Sequence, residues 1–206
     1  MTEPAPTADP KTEPGRLWTD SQAAFKRRDY LQSAELMQAL LDRWGEDAAP
    51  SGAAALRLSL GVALLRLRRT PAGVEQLRRA VELDPGSGRA HQKLGAGLGR
   101  LGEDREALAC FERATALSPD EAEYHWRLGE QLRRLGRPRD ARAAFARCLE
   151  LMPGYPPAVK AVVEIGGRRR GLDWLERLRR RLGLGRPPQP DASRRTPSRA
   201  DDPRRG

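Results

Sequence analysis

The chain has 206 residues, a formal net charge of +10 and 38% hydrophobic residues, which is lean for a globular core. Such a composition suffices for a helical array in which each unit contacts only its neighbours. The chain has no run of about 18 apolar residues, so no membrane-spanning helix is expected. Two cysteines are too few for a disulfide framework, and this fits a reducing compartment.

Residues 1–15 are acidic and rich in proline, which is unlike a secretory signal and typical of a disordered segment. Arginine greatly outnumbers lysine and asparagine is absent, a bias that indicates a GC-rich, bacterial genome. Together with the lack of a signal, this composition predicts a cytoplasmic bacterial protein.

Two helices are predicted in residues 16–53. A turn is expected at Arg28 and Asp29, and Met37, Leu40 and Leu41 then fall on one face of a second helix. The composition of residues 45–52 is that of a loop. We interpret 16–53 as a degenerate copy of the repeat that follows it. The alternative is an unrelated helical hairpin that caps the array.

From residue 54 to residue 155 the sequence repeats with a period of 34 residues, which is typical of stacked helical hairpins. In each copy, leucines at positions i, i+4 and i+7 predict one apolar face of a first helix. These leucines are Leu60, Leu64, Leu67, Leu94, Leu98, Leu101, Leu128, Leu132 and Leu135. A proline that cannot continue a helix closes each copy, at Pro85, Pro119 and Pro153.

A glycine follows the first leucine of each copy, at Gly61, Gly95 and Gly129. Glycine inside a helix costs about 1 kcal/mol relative to alanine, so its return predicts that another helix passes too close for a Cβ atom. The second helix supplies small residues and, between them, one bulky residue. The bulky residues are Leu77, Phe111 and Phe145, and the small ones are Gly73, Ala107, Ala141, Ala80, Ala114 and Cys148.

These residues resemble the tetratricopeptide repeat family, over three consecutive units at 54–87, 88–121 and 122–155. The resemblance implies an all-α fold, a right-handed α-solenoid of stacked helix–turn–helix units with disordered terminal tails. The chain departs from the family pattern at two sites. The family's tryptophan site holds Arg57, His91 and His125, and the turn glycine of the first unit is Arg68.

After residue 155, an apolar segment opened by two prolines, 156–166, predicts a capping helix for the open end of the array. Residues 167–184 predict a basic amphipathic helix that starts near Leu172. Its apolar face is expected to carry Leu172, Leu175, Leu178 and Leu182, with Trp174 beside them. Residues 185–206 are predicted to be a disordered basic tail.

Most of the positive charge belongs to this C-terminal part, since residues 156–206 hold 14 basic and six acidic side chains. One hypothesis is contact with an anionic membrane surface or another polyanion. The candidate residues are Arg168, Arg169, Arg170, Trp174, Arg177, Arg179, Arg180 and Arg181. The alternative is that the leucines pack on the capping helix and the arginines are only solvated. Aromatic residues do not alternate with the basic ones, so sequence-specific nucleic-acid binding is not expected.

Residues able to carry chemistry are few. His91 and His125 occupy the same packing position in adjacent units, and no cluster at metal-ligand spacing surrounds them. Cys148 stands where other units have alanine, and Cys110 lies on the same class of helix, so both are interpreted as structural. No phosphate loop or nucleophile motif is present. We expect no metal, no cofactor and no enzymatic activity.

The resemblance implies a concave groove lined by the first helix of each unit. Carried over position by position, the groove residues are Leu58, Val62, Leu65, Arg66, Arg89, Gln92, Lys93, Arg100, Trp126, Arg127, Glu130, Arg133 and Arg134. The groove should run from an apolar end to a basic end. Trp126 is expected to be an aromatic that the core does not need, and Ala96 and Gly99 to leave room for a ligand backbone.

The predicted function is a non-catalytic scaffold that binds a partner peptide or helix, either acidic or with a free C-terminus. Apolar anchors would lie near Leu58, Val62 and Leu65, and arginines suit carboxylates. The family's two-carboxylate clamp also uses asparagines, which this chain lacks, so that specificity is not implied. The alternative is a peripheral factor anchored to a membrane or polyanion by its basic tail. A purely solvated basic face and self-association also remain open.

Overall fold

The computed structural model describes residues 13–45 and 52–183, and for residues 168–170 only the backbone. Every regular element in these ranges is an α-helix. The helices are α1 Glu13–Lys26, α2 Tyr30–Trp44, α3 Gly52–Arg66, α4 Thr70–Leu83, α5 Gly88–Leu101, α6 Asp104–Leu117, α7 Ala122–Arg134, α8 Pro138–Leu151, α9 Pro156–Gly166 and α10 Arg168–Arg181. Consecutive helices pair as five hairpins, and each hairpin packs on the next. The predicted all-α solenoid is confirmed.

Several predicted boundaries differ from the observed ones. Helix α1 begins at Glu13, so residues 13–15, predicted to belong to the terminal segment, are helical. Helix α3 begins at Gly52, inside the predicted loop. Helix α10 begins at Arg168 rather than near Leu172, so the three arginines 168–170 are part of the helix. The predicted tails and the centre of the loop lie outside the described residues.

Four of the hairpin turns contain a residue with positive φ just after the first helix. Its φ is 65° at Arg28, 61° at Arg68, 83° at Gly102 and 70° at Gly136. Two units therefore place arginine in the left-handed region that glycine adopts at the equivalent position of the others. The positive φ recurs whether the turn residue is glycine or arginine, so the turn requires it. At Arg28 and Arg68 this conformation is strained, because these residues have a Cβ atom.

We expect Arg68→Gly to raise the free energy of unfolding by about 0.5–1 kcal/mol. An L-residue pays about 1–2 kcal/mol in this region, and the greater chain entropy of unfolded glycine offsets part of that gain. The measurement is the midpoint of urea unfolding. Arg69→Gly is the matched control, because Arg69 has φ −82° and should lose stability when replaced by glycine. A lower midpoint for Arg68→Gly would contradict the assignment of strain to this turn.

The three repeated glycines lie where the two helices of each hairpin cross. A Cβ atom added at Gly61 would lie 2.7 Å from Leu77 Cγ, one at Gly95 3.1 Å from the Phe111 ring, and one at Gly129 2.5 Å from the Phe145 ring. Real Cβ atoms essentially never approach other atoms more closely than 3.0 Å, and a contact of 3.1 Å is tighter than nine in ten real Cβ contacts. The predicted close approach is therefore confirmed, and the bulky residues of the second helices are what fill it.

In the first hairpin, serines occupy the helix crossing where the next hairpin has glycines. Ser21 and Ser33 lie where Gly61 and Gly73 lie in the next hairpin, and both are fully buried. The Ser33 hydroxyl donates to the Ser21 carbonyl over 2.9 Å, so its burial leaves no unpaired hydroxyl. Met37 is fully buried in place of Leu77. The hairpin α1–α2 thus has the turn and the crossing of the later hairpins.

Buried apolar residues form three separate cores along the array. The N-terminal core consists of Ala34, Met37, Leu40, Leu56, Leu60 and Ala63. The middle core consists of Leu65, Val74, Leu77, Leu94, Leu98, Ala107 and Phe111. The C-terminal core consists of Ala122, Leu132, Ala141, Ala144, Phe145, Cys148, Leu149, Ala158, Ala161, Val162 and Leu178. Each core joins neighbouring hairpins, as expected for a repeat array.

Helices α9 and α10 close the C-terminal end. Leu178 is buried in the C-terminal core, and Trp174, Leu175 and Leu182 pack against it. Leu172, predicted to share this face, is instead 47% exposed. A Cβ atom at Gly171 would lie 2.6 Å from Val163 Cα, so α10 crosses α9 with backbone nearly in contact. The apolar side of α10 is therefore directed mainly into the protein.

Candidate partner-binding groove

The first helices of successive hairpins lie side by side, because α3 contacts α5 and α5 contacts α7. Side-chain hydrogen bonds tie this face together. Arg100 donates to the Leu65 carbonyl over 2.8 Å, from α5 to α3. Gln92 donates to Glu123 over 3.3 Å, from α5 to α7. We call the surface made by these three helices the α3–α5–α7 face.

The apolar end of this face is narrower than predicted. Leu58 and Val62 are half-buried against the middle core and still reach the surface. Leu65 is only 6% exposed and is a member of that core. Gln92, also a predicted groove residue, is 2% exposed. Leu65 and Gln92 therefore support the face from below rather than present side chains to a ligand.

Positive charge concentrates at the centre of the face, around the half-buried Lys93. Burial is the main cause that lowers the pKa of the Lys93 ammonium, and the charges of Arg127, Arg89 and Arg66 lower it further. Glu123 acts in the opposite direction. One arginine on each of three helices, α3, α5 and α7, thus acts electrostatically on one half-buried lysine. This cluster of Arg66, Arg89, Lys93 and Arg127 is hereafter the Lys93 cluster.

The predicted basic end is largely neutralised by neighbouring acids. Arg133 pairs with Glu130 over 3.0 Å, and this hydrogen bond is the main cause that raises the Arg133 pKa. Arg134 pairs with Asp104 over 2.7 Å. The space predicted beside Gly99 is also filled, since an added Cβ atom would lie 3.1 Å from Arg134 Nη1. The basic end therefore offers a ligand less charge than its sequence suggests.

Asp104 and Gln131 were not identified from the sequence. Gln131 is 3% exposed and donates to both the backbone carbonyl and the carboxylate of Asp104, each over 2.9 Å. A signal was present, because Gln131 is a polar residue where the preceding units have Gly97 and Ala63. A polar side chain on that buried face requires a hydrogen-bond partner, which the preceding helix α6 supplies.

Trp126 is a structural residue, in contrast to the prediction. Its ring packs against the C-terminal core and meets Tyr155 edge-on, with ring centroids 5.9 Å apart. The Arg127 guanidinium lies 4.3 Å from the Trp126 ring centroid and also pairs with Glu123. The Trp126 ring therefore helps to position Arg127 within the Lys93 cluster. Its buried Nε1 atom has no partner among the described residues.

Four of the five described candidate residues for an anionic surface have contacts within the protein. Trp174 packs inward. Arg180 pairs with Glu176 over 3.8 Å, and Arg181 pairs with Glu150 of α8. Arg179 also has an interaction partner. Arg177 lines a cleft between α8 and α10. The side chains of residues 168–170 are outside the described part of the chain. The packing of α10 matches the alternative in which its leucines cover the capping helix.

The histidines and cysteines have structural environments. His91 Nε2 donates to the Pro85 carbonyl over 3.1 Å, and His125 Nε2 donates to the Pro119 carbonyl over 2.8 Å. Each histidine thus stabilises, by a hydrogen bond, the turn that precedes its own repeat unit. Burial raises the pKa of the Cys148 thiol to about 11, which disfavours the reactive thiolate. Within residues 13–45 and 52–183 no cluster of three possible metal ligands occurs.

A model of the tetratricopeptide repeat family matches residues 21–88 and 93–156, together more than half of the chain. The chain belongs to the tetratricopeptide repeat family. The first match begins inside α1 and so includes most of the first hairpin. No curated protein sequence matched the chain.

Several solved structures share this tetratricopeptide fold at low sequence identity. A crystal structure of MamA superposes with a TM-score of 0.67 at 19% identity, over 77% of this chain and 91% of that one. YrrB, described as a tetratricopeptide protein with an unusual peptide-binding site, gives a TM-score of 0.65 at 20% identity, over 72% of this chain and 74% of that one. A tetratricopeptide repeat protein from Parabacteroides merdae gives 0.67 at 20% identity, over 82% of this chain and 65% of that one.

These likenesses establish the fold of this tetratricopeptide protein. Among its described helices, none is long and apolar enough to cross a membrane. Tetratricopeptide arrays are in general protein-interaction scaffolds, and that general role is the one this fold supports.

Proposed function

We propose that this protein is a non-catalytic scaffold whose α3–α5–α7 face binds an acidic segment of a protein partner. The observation that carries the proposal is Lys93, a half-buried lysine whose pKa is lowered by burial and by the charge of one arginine on each of three helices. Like charges brought together with partial burial oppose the charged state of that lysine. Shifts of this kind concentrate at functional sites, and a bound carboxylate would relieve this one.

The ligand chemistry follows from the Lys93 cluster. Glu123 is the acid that acts on Lys93, and it already accepts hydrogen bonds from Gln92 and Arg127. The cluster therefore retains a surplus of positive charge for a ligand. A glutamate or aspartate side chain and a free C-terminal carboxylate supply the same group. Arginine binds such groups through two parallel hydrogen bonds.

Apolar contact would come from the neighbouring end of the face. Leu58 and Val62 lie on α3, the helix that also supplies Arg66 to the Lys93 cluster. A segment with carboxylates beside one or two apolar side chains would match both parts. Peptide binding in YrrB, a protein of similar fold, is compatible with this use of the face.

We further propose that this binding takes place in a reducing cytoplasm. The proposal is supported by Cys110 and Cys148, which are both free thiols.

The alternative function, anchoring to a membrane or polyanion by the basic tail, has less support in α10. Insertion into lipid needs an outward apolar face. Among the described large apolar residues of that helix, Leu172 is exposed, while Trp174 and Leu178 pack inward.

Selection from a displayed random peptide library tests the proposal. The full-length protein is expected to enrich peptides with at least two acidic residues near an apolar one. Arg127→Glu should weaken binding of those peptides about tenfold or more, since one charge-assisted contact is lost.

Arg113→Glu is the matched control, because it makes the same charge change at an exposed position of α6. Thermal melts should first show that both variants fold. Enrichment of neutral or basic peptides, or equal capture by Arg127→Glu, would refute the proposed site.

A further inference from the structure

A second cleft lies between α8 and α10, on helices that do not contribute to the α3–α5–α7 face. Its volume is about 390 Å³, enough for a few side chains of a partner. The residues that each helix contributes recur at i, i+3, i+4 and i+7, so one face of each helix forms a wall. The cleft is therefore a regular product of helix packing.

Four arginines line this cleft. Arg139 and Arg142 come from α8, and Arg177 and Arg181 come from α10. Arg181 pairs with Glu150. Within residues 13–45 and 52–183, the other three arginines form no ion pair. The cleft thus concentrates cations that the described part of the chain leaves uncompensated.

Two acids close to the cleft in sequence are engaged elsewhere, and a third, the exposed Asp173, does not line the cleft. Asp140 pairs with Arg137 over 2.7 Å, and Glu176 pairs with Arg180 over 3.8 Å. The neighbouring second helices α4 and α6 show the balanced case, in which Arg78 bridges to Glu103 and Glu106. In the α8–α10 cleft, by contrast, three arginines lie together without an ion-pair partner in the described part of the chain.

The walls of the cleft also have an apolar part. Ala143 and Ala146 of α8 face Trp174 and Leu178 of α10, and Leu178 is only 8% exposed. Small residues on one helix opposite large ones on the other leave room between the helices. The close crossing at Gly171 fixes α10 against α9, so the apolar wall is set by packing.

We propose that the α8–α10 cleft is a second binding site, which takes an acidic protein segment with paired carboxylates around one apolar side chain. The arginines would bind the carboxylates, and the apolar side chain would enter between Ala146 and Trp174. A membrane surface or a nucleic-acid backbone would meet the outer arginines but would not use the inward-facing Trp174 and Leu178. A protruding side chain of a protein segment uses both.

A fluorescein-labelled peptide with two glutamate pairs flanking one leucine is the probe, measured by anisotropy at low salt with the full-length protein. Lys93→Met serves as the background, so that the α3–α5–α7 face contributes little. Arg139→Glu/Arg142→Glu should weaken binding about 100-fold, since two charge-assisted contacts are lost. Arg105→Glu/Arg113→Glu, two exposed positions of α6, makes the same charge change and should leave affinity within about twofold.

A local readout accompanies the affinity measurement. The Trp174 indole N–H signal, assigned with Trp174→Phe, should shift on peptide addition. Arg142→Gln/Arg177→Gln, which removes charge without reversing it, provides a second variant if the double reversal does not fold.

Three results would overturn the second site. The first is that the peptide does not bind at millimolar concentration, and the second is that the α6 control loses as much affinity as the cleft variant. The third is that phosphatidylserine vesicles bind through the cleft while the peptide does not bind. The two proposals fail separately. If the α3–α5–α7 face does not bind acidic segments, Lys93→Met will leave peptide affinity at the wild-type value, while Arg139→Glu/Arg142→Glu will still weaken binding about 100-fold.

Discussion

Replacing Phe145 with alanine is expected to lower the free energy of unfolding by about 3–5 kcal/mol, the usual cost of deleting a buried aromatic ring. Phe145 is fully buried and fills the crossing of α7 and α8 directly beside Gly129. The glycine cannot move inward to close the cavity, because it has no side chain to rearrange. Guanidinium unfolding followed by circular dichroism measures the loss.

Phe145→Leu is the graded comparison for this prediction, since leucine occupies the equivalent position at Leu77. It should cost less than Phe145→Ala, because more of the buried volume is retained. Gly129→Ala combined with Phe145→Ala should cost less than the sum of the two single changes, because the added methyl group enters the vacated space. A loss below about 1 kcal/mol for Phe145→Ala would contradict the role of the ring as the residue that fills the crossing.

Lys93→Met is expected to make the protein more stable and a weaker binder. The substitution removes a charge that burial and three arginines oppose, while the methionine keeps an apolar stem of similar length. Affinity for peptides selected on the α3–α5–α7 face should fall about 10–100-fold, the range for a hydrogen bond to a charged group. Thermal melts and peptide anisotropy on the same samples measure the two effects. Such opposed changes are expected of a residue kept for function.

The pH dependence of Lys93→Met has a defined sign. The pKa of Lys93 is lower in the folded protein than in the unfolded chain, so its proton opposes folding. The stability advantage of Lys93→Met is therefore complete below the folded pKa and narrows as pH rises toward the unfolded pKa. As pH rises, the affinity of the wild type for the acidic peptide should decrease when Lys93 loses its proton. This decrease should occur at a lower pH than for a lysine with an ordinary pKa.

Lys160→Met is the control for both effects, since Lys160 is exposed and pairs only loosely with Glu164, over 3.8 Å. It should change neither stability nor affinity measurably. A destabilised Lys93→Met protein, or one with unchanged affinity, would contradict the role given to the Lys93 cluster.

The fold could be predicted because its signals are local. The leucine spacing, the glycine at each crossing and the closing proline each report on one hairpin and return every 34 residues. The hairpin α1–α2, interpreted as a degenerate copy, shows a local signal of the same kind, since Arg28 and Arg68 both have positive φ in the turn after a first helix. Its serines, by contrast, reveal their hydrogen bond only when the two helices are placed against each other.

The groove was predicted less well because its chemistry depends on neighbouring hairpins. Leu65 and Gln92 lie at the border between the exposed and buried sides of their helices. They are buried because residues of neighbouring helices pack over them. The partner of Arg134, Asp104, lies on a different helix, so its pairing leaves no mark in local sequence. Trp126 looked dispensable because Tyr155, which packs on it, lies beyond the next helix.

The separation of the interior into three cores has a spectroscopic consequence. Trp18 and Trp44 pack against the N-terminal core, Trp126 and Trp174 against the C-terminal core, and none of the four tryptophans against the middle core. Because repeat arrays are held by nearest-neighbour contacts, the two ends can open independently. Intrinsic fluorescence therefore reports each end of the array by its own pair of indoles, and pairwise Trp→Phe replacement at one end isolates the emission of the other.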